Sequence, residues 1–203
     1  MALRYAILGY LSTAAGSGYD LAQQLQGGLG WFWSASHSQI YPELKRLEDA
    51  GLVESEPTTV GEKLEKRIYS ITDEGRRVLT AWAAGPPVYR PNRDPERLQF
   101  IFSDLAPLDS IRQHLEVHRE HFTKRREQLL DTHRRIVRHE HERVERRYEG
   151  RDPLQQELTL LLRDLAYRGD IARAELEIRW AEDALEHLET LEHKASSKRR
   201  RAA

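Results

Sequence analysis

The chain has 203 residues, 39% of them hydrophobic and 32% charged, which fits a soluble globular protein of one or two domains. It has no cysteine, which excludes disulfides, zinc–thiolate sites, iron–sulfur clusters and a thiol nucleophile. The formal net charge is −1, from 32 Lys and Arg against 33 Asp and Glu, and taken alone it argues against nucleic acid, because domains that bind it are usually basic.

The opening Met-Ala-Leu-Arg-Tyr-Ala-Ile-Leu-Gly-Tyr-Leu is too short and wrongly flanked for a signal peptide, and no apolar run approaches about 18 residues. A cytoplasmic protein is the expectation. Leu3, Ile7, Leu8 and Leu11 lie at helical spacing. Ser17 followed three residues on by Asp20 fits a capping pattern and opens a helix through Leu21 and Leu25, which Gly27 and Gly28 end. Ser36 and Gln39 repeat that pattern before Ile40, Tyr41, Leu44 and Leu47, with Gly51 as the stop. Pro42 is tolerable only near a helix start, so this third helix should begin at Ser36–Ser38.

Two strand-like runs follow, Leu52–Glu56 and Lys66–Ile71, joined by a polar loop with Pro57, Thr58, Thr59 and Gly61. Thr72 then caps a helix whose first turn carries Asp73 and Glu74, at the positive end of its dipole, and whose apolar face is Val78, Leu79 and Trp82. Prolines crowd residues 86–95, which read as a linker between a domain over 1–85 and a helical region over 96–193. In that region Leu108, Ile111, Leu115, His118, Phe122, Arg125, Leu129, His133 and Ile136 trace a heptad-like seam that continues to Val144 and stops at Gly150. Asp152-Pro153 starts a last helix with Leu154, Leu158, Leu161, Leu162, Leu165, Ile171, Leu176, Trp180, Leu185, Leu188 and Leu191 on its apolar face. The final ten residues, 194–203, carry 5 basic and no acidic side chains and no apolar periodicity, so a disordered basic tail is expected.

Three helices, a two-stranded wing and a fourth helix make a winged helix-turn-helix order. The third helix must present small polar residues at its start if it is to enter a major groove, and Ser36, Ser38 and Gln39 do so. Gln39 can pair with an adenine edge. Tyr41 divides between core and DNA contact. Lys45 and Arg46 lie where phosphates would run, and Lys63, Lys66 and Arg67 put three cations at or near the wing tip. Any one of these cations also reads as part of a solvated face.

These residues carry a family resemblance. Ser-Gln-Ile-Tyr-Pro-Glu-Leu-Lys-Arg-Leu-Glu-Asp-Ala-Gly-Leu-Val (38–53) resembles the recognition-helix motif of PadR-type transcriptional regulators. Arg-Ile-Tyr-Ser-Ile-Thr-Asp-Glu-Gly (67–75) is similar to that family's wing strand and following helix start. Gly18-Tyr19-Asp20-Leu21, Phe32-Trp33, Arg93-Asp94 and Leu98-Gln-Phe-Ile-Phe102 match as well. The resemblance implies a mainly helical homodimeric repressor. Its winged domain would bind an operator, and its long C-terminal helices, as in the family's larger subfamily, would hold the dimer. The wing departs from the family's pattern: Glu62 and Glu65 dilute a segment often richer in Arg and Gly.

Two helices of about 40 residues cannot bury their stripes against an 85-residue domain alone. An antiparallel pair that packs on a second copy is expected, through Leu108, Ile111, Leu115, Phe122, Leu129, Leu158, Leu162, Leu165, Leu176 and Trp180. Two-fold symmetry then predicts a pseudo-palindromic operator. Trp31, Phe32 and Trp33 read either as core under the recognition helix or as a wall of an effector pocket, and the resemblance suggests phenolic or other small aromatic effectors for some members. His114, His118 and His121 share a helical face, where structural or solvated histidines are the reading preferred to a metal site. No nucleophile elbow, phosphate-cradling glycine loop or zincin spacing is present, so neither an enzyme nor a cofactor is expected. The alternative is a helical interaction protein whose winged domain docks a protein partner.

Overall fold

The computed structural model describes residues 2–26, 36–60, 64–89, 93–140, 145–147 and 150–202. The chain divides into two units, Met1–Val88 with Glu142–Arg151, and Tyr89–His141 with Asp152–Ala203. Among the described residues no helix is long and apolar enough to cross a membrane.

In the first unit α1 (Ala2–Leu11), α2 (Gly18–Gln26) and α3 (His37–Asp49) precede strands β2 (Val53–Val60) and β3 (Leu64–Ile71) and helix α4 (Asp73–Ala84). Ile7, Leu8, Leu21, Leu25, Ile40, Leu44 and Leu47 are fully buried in one core. Each such side chain contributes about 1.5–3 kcal/mol on leaving water. α3 starts where its capping pattern placed it, with Ser36 as N-cap, and ends at Ala50 with Gly51 in the left-handed region at φ 68°. Pro42 lies inside this helix all the same, where it removes one backbone bond.

The wing is larger than the sequence suggested. A two-residue strand β1 (Gly16–Ser17) pairs with β3, giving a three-stranded antiparallel sheet in the order β1-β3-β2. A Cβ at Gly16 would come within 2.9 Å of the Tyr10 ring, so glycine permits this approach. Pro57 to Val60, expected in a loop, belong to β2, an edge strand where a proline costs no ladder bond if its nitrogen faces outward. The N-cap Thr72 accepts from the Gly75 N–H at 3.1 Å and donates to the Gly51 carbonyl at 2.8 Å, tying α4 to the end of α3. Tyr5 and Trp82 stack with ring centroids 4.5 Å apart, joining α1 to α4.

The second unit holds α5 (Pro95–Ile101), a short 3-10 turn (Ser103–Leu105), α6 (Leu108–Val137) and α7 (Pro153–Ala202). Polar contacts between α6 and α7 define their direction: Arg112 with Glu192 at 2.6 Å, His118 with Glu177 at 3.1 Å, Arg125 with Asp170 at 3.5 Å and His133 with Asp164 at 2.7 Å. Numbers rise on one helix as they fall on the other, so the pair is antiparallel.

Three expectations change here. α6 ends at Val137 rather than near Gly150, because His139 adopts the left-handed region at φ 58° and the Glu140 N–H closes onto the Arg135 carbonyl at 2.8 Å. Arg147, beyond that turn, donates to the Gly9 carbonyl at 3.4 Å inside the first unit. α7 continues to Ala202 through the segment read as a disordered tail, as Ala, Lys and Arg are strong helix formers. Leu115 and Leu129 are buried in their own chain's α6–α7 seam with Tyr167, Ile171 and Ile178, which removes them from the dimerisation set.

The remaining members of that set divide. Leu158, Leu162, Leu165 and Leu176 are at least half exposed and Leu108 is nearly so, whereas Ile111, Phe122 and Trp180 are partly buried within the unit. Leu154, Leu158, Leu161 and Leu165 advance by 4, 3 and 4 residues, and Leu176 follows three turns on. At 100° per residue this stripe lies nearly opposite the face of α7 that packs on α6.

Candidate nucleic-acid interface

Ile40, Leu44 and Leu47 turn inward, which leaves Ser36, Ser38, Gln39, Tyr41, Lys45 and Arg46 on the outer side of α3. The start of the helix is built by side chains rather than left open. Gln39 Oε1 accepts from the Ser36 N–H at 3.0 Å and from Ser36 Oγ at 3.3 Å, and Ser36 Oγ meets Ser38 Oγ at 2.8 Å. Gln39 is therefore the reciprocal member of a capping box. Bidentate pairing with an adenine needs both amide atoms, so Gln39 has to release this contact to read a base that way.

Tyr41 is half exposed. Its ring lies against Gly18 at the start of α2, where a Cβ would stand 2.5 Å from a ring carbon. One side of the ring is thus packed and the rest faces outward.

Every described cation that the sequence singled out has an acidic partner. Lys45 pairs with Asp49 at 3.2 Å, Arg46 with Glu43 at 3.0 Å, Lys66 with Asp20 at 3.2 Å and Arg67 with Glu48 at 3.4 Å. Glu48 also accepts from Ser55 Oγ at 2.5 Å, so one carboxylate joins α3 to both wing strands. Asp20 accepts from the backbone and the hydroxyl of Ser17 at 3.0 and 2.8 Å. Burial works most strongly to raise its pKa, but the Ser17 hydrogen bonds and Lys66 together hold this carboxyl below its ordinary value.

Sequence reasoning had not identified these four acids as partners. Spacing carries a signal for two of them, Glu43–Arg46 at i,i+3 and Lys45–Asp49 at i,i+4. Glu48 with Arg67 and Asp20 with Lys66 are tertiary contacts with no local signature. Lys63 and the cluster Trp31, Phe32 and Trp33 lie outside the described residues. The histidines make separate contacts: His114 Nδ1 lies 3.4 Å from Ser103 Oγ, His118 meets Glu177, and His121 packs its edge on Phe122. Among the described residues no group of three His, Asp or Glu side chains is arranged to hold a metal ion.

Comparison with known proteins agrees with this geometry. The family described as Transcriptional regulator PadR-like family matches residues 7–81. Over 80 residues the chain is 51% identical to the negative transcriptional regulator PadR of Bacillus subtilis (strain 168), a match covering 39% of this chain and 44% of that protein. The chain thus matches less than half the length of that curated relative. Among solved structures, Bacillus subtilis PadR in complex with operator DNA is 28% identical with a TM-score of 0.69, covering 93% of this chain and 99% of that one. Bacillus subtilis PadR in complex with p-coumaric acid is 25% identical with a TM-score of 0.64, covering 92% and 95%. Residues 7–81, with their capped third helix and three-stranded sheet, match the PadR-like family of transcriptional regulators.

Proposed function

We propose that the chain is a cytoplasmic transcriptional repressor that binds a pseudo-palindromic operator as a homodimer and is released by a small aromatic effector. The observation that carries this reading is the outer face of α3: a polar, capped N-terminal turn followed by Lys45 and Arg46, beside Lys66 and Arg67 of the wing. Ser36, Ser38, Gln39 and Tyr41 face the base edges. Lys45, Arg46, Lys66 and Arg67 exchange their carboxylate partners for phosphates, and Lys63 joins them on the backbone. The likeness to PadR crystallised with operator DNA supports the DNA partner, and the likeness to PadR with p-coumaric acid supports the effector class.

The dimer rests on the exposed leucine stripe of α7. Five leucines, each 49% to 74% exposed, run along a face that no element among the described residues covers. A second copy related by a two-fold axis buries the stripe against its equal. It also brings two α3 helices to half-sites about 34 Å apart, one turn of DNA.

Gel shift of the full chain on the DNA upstream of its own gene, against random DNA and over a salt series, tests the reading. Operator binding that falls with salt and with added p-coumarate is expected. A chain that binds no upstream fragment more tightly than random DNA would fit the protein-docking alternative.

A further inference from the structure

In the second unit α5, α6 and α7 enclose a cavity of about 600 Å³, within the size range of small-molecule sites. It is walled by rings. Trp180 is clamped, with the Arg97 guanidinium 3.7 Å above its centroid, Phe100 edge-on at 5.2 Å and His118 edge-on at 5.1 Å. Phe122, 4.6 Å from the His118 ring, extends the apolar wall.

The charges around it do not balance. Asp94, Glu96 and Glu177 line the cavity against one permanent cation, Arg97. Arg97 is also already engaged, at 2.6 Å from Glu177 and 3.9 Å from Asp94. Glu177 takes both Arg97 and His118 on Oε2, and among the described contacts its other oxygen has no partner. Glu96 stands exposed at the rim.

We propose that this cavity binds a planar aromatic cation. The rings supply stacking and edge contacts, which a cation strengthens through their quadrupoles. The surplus carboxylates, with the open oxygen of Glu177, supply the opposite charge. A planar anion would have to break the Arg97–Glu177 pair and then face the remaining acids. This inference stands apart from DNA binding, since it uses only residues of the helical unit.

The test uses ethidium, a planar quaternary cation, titrated calorimetrically into the full chain without DNA. Tryptophan emission is read in parallel. Saturable binding of one dye per chain is expected, with quenching that is reduced in Trp180→Phe. Glu177→Gln should weaken binding about tenfold and the exposed Glu96→Gln about threefold. Because Glu96 is exposed, its variant reports on charge even if Glu177→Gln proves less stable. Sodium p-coumarate should not displace the dye. Absence of saturable ethidium binding overturns the proposal, as does full affinity in the Glu96→Gln/Glu177→Gln double variant. Displacement by p-coumarate, or quenching unchanged in Trp180→Phe, overturns it equally.

Discussion

Gly75 lies so close to the Leu52 carbonyl that a Cβ on it would stand 2.1 Å from that oxygen. Leu52 is itself fixed, since its carbonyl accepts from the Thr72 N–H at 3.2 Å while Thr72 caps α4. No flexible side chain can yield here, because the obstructing atom is backbone. Gly75→Ala should therefore cost about 2–3 kcal/mol, seen as a lower denaturation midpoint with an unchanged slope. A melt equal to the parent's would mean that α4 can slide away from the wing at little cost.

Gln39 holds two roles that one substitution can separate. Glutamate also serves as the reciprocal member of a capping box, so Gln39→Glu should keep stability within about 0.5 kcal/mol. It cannot donate to a base and it repels phosphate. Operator affinity should fall about tenfold or more, while Gln39→Ala should lose both cap and affinity. Gel shift and thermal melting of the two variants read the separation directly.

The acids beside α3 should restrain binding. In Glu43→Gln with Asp49→Asn, Arg46 and Lys45 lose their carboxylate partners. Exposed pairs contribute only about 0–1 kcal/mol to stability, so the fold should hold. Affinity for DNA should rise several-fold, and the slope of log K against log salt should steepen by up to about 0.9 for each cation freed. An unchanged slope would place these cations away from phosphate.

Leu158→Glu with Leu165→Glu alters side chains that are 50% and 53% exposed in the single chain. The α6–α7 seam stays intact, so helical content should persist while light scattering reports a monomer. Loss of one half-site contact should lower operator affinity about a hundredfold or more. Leu115→Ala should behave in the opposite manner, costing about 2–5 kcal/mol of stability and leaving the stripe in place. Retained dimer mass in the double variant would move the interface elsewhere.

Asp20 gives the acid limb a direction. Its carboxyl is held below the unfolded value of about 3.9, so the unfolded chain takes up the proton first. The stabilisation is complete above that value and is lost as pH falls through the lower folded pKa. Asp20→Asn should flatten the decline of stability below about pH 4 relative to the parent chain. Denaturant melts of both proteins between neutral pH and the acid limb compare the two slopes.

Helix starts were legible because caps are local: Ser36 with Gln39, Thr72, and Asp152 accepting from the Gln155 N–H at 3.0 Å are each spelled within four residues. What depended on distant partners was not. β1 has two residues, and its pairing with Ile68 and Tyr69 joins chain positions about fifty apart. The turn at His139 uses a non-glycine in the left-handed region, which leaves no signature. Periodicity found the leucines of α7 but could not distinguish a face covered by α6 from one left open, since the helix has both. In the interface the cations were visible as residue types, whereas Glu48 under Arg67 was not.

The pairing of Lys45, Arg46, Lys66 and Arg67 bears on where the proposed repressor would spend its time. A genome offers about 10⁶–10⁹ competing sites of random sequence, and each copy held on one of them is absent from the operator. Cations that must leave a carboxylate before they meet a phosphate gain little from a random backbone contact. They gain more once α3 is seated and the new partners are in register. On the proposed function, internal acids would thus reduce sequestration on bulk DNA, so that fewer copies per cell would keep an operator filled.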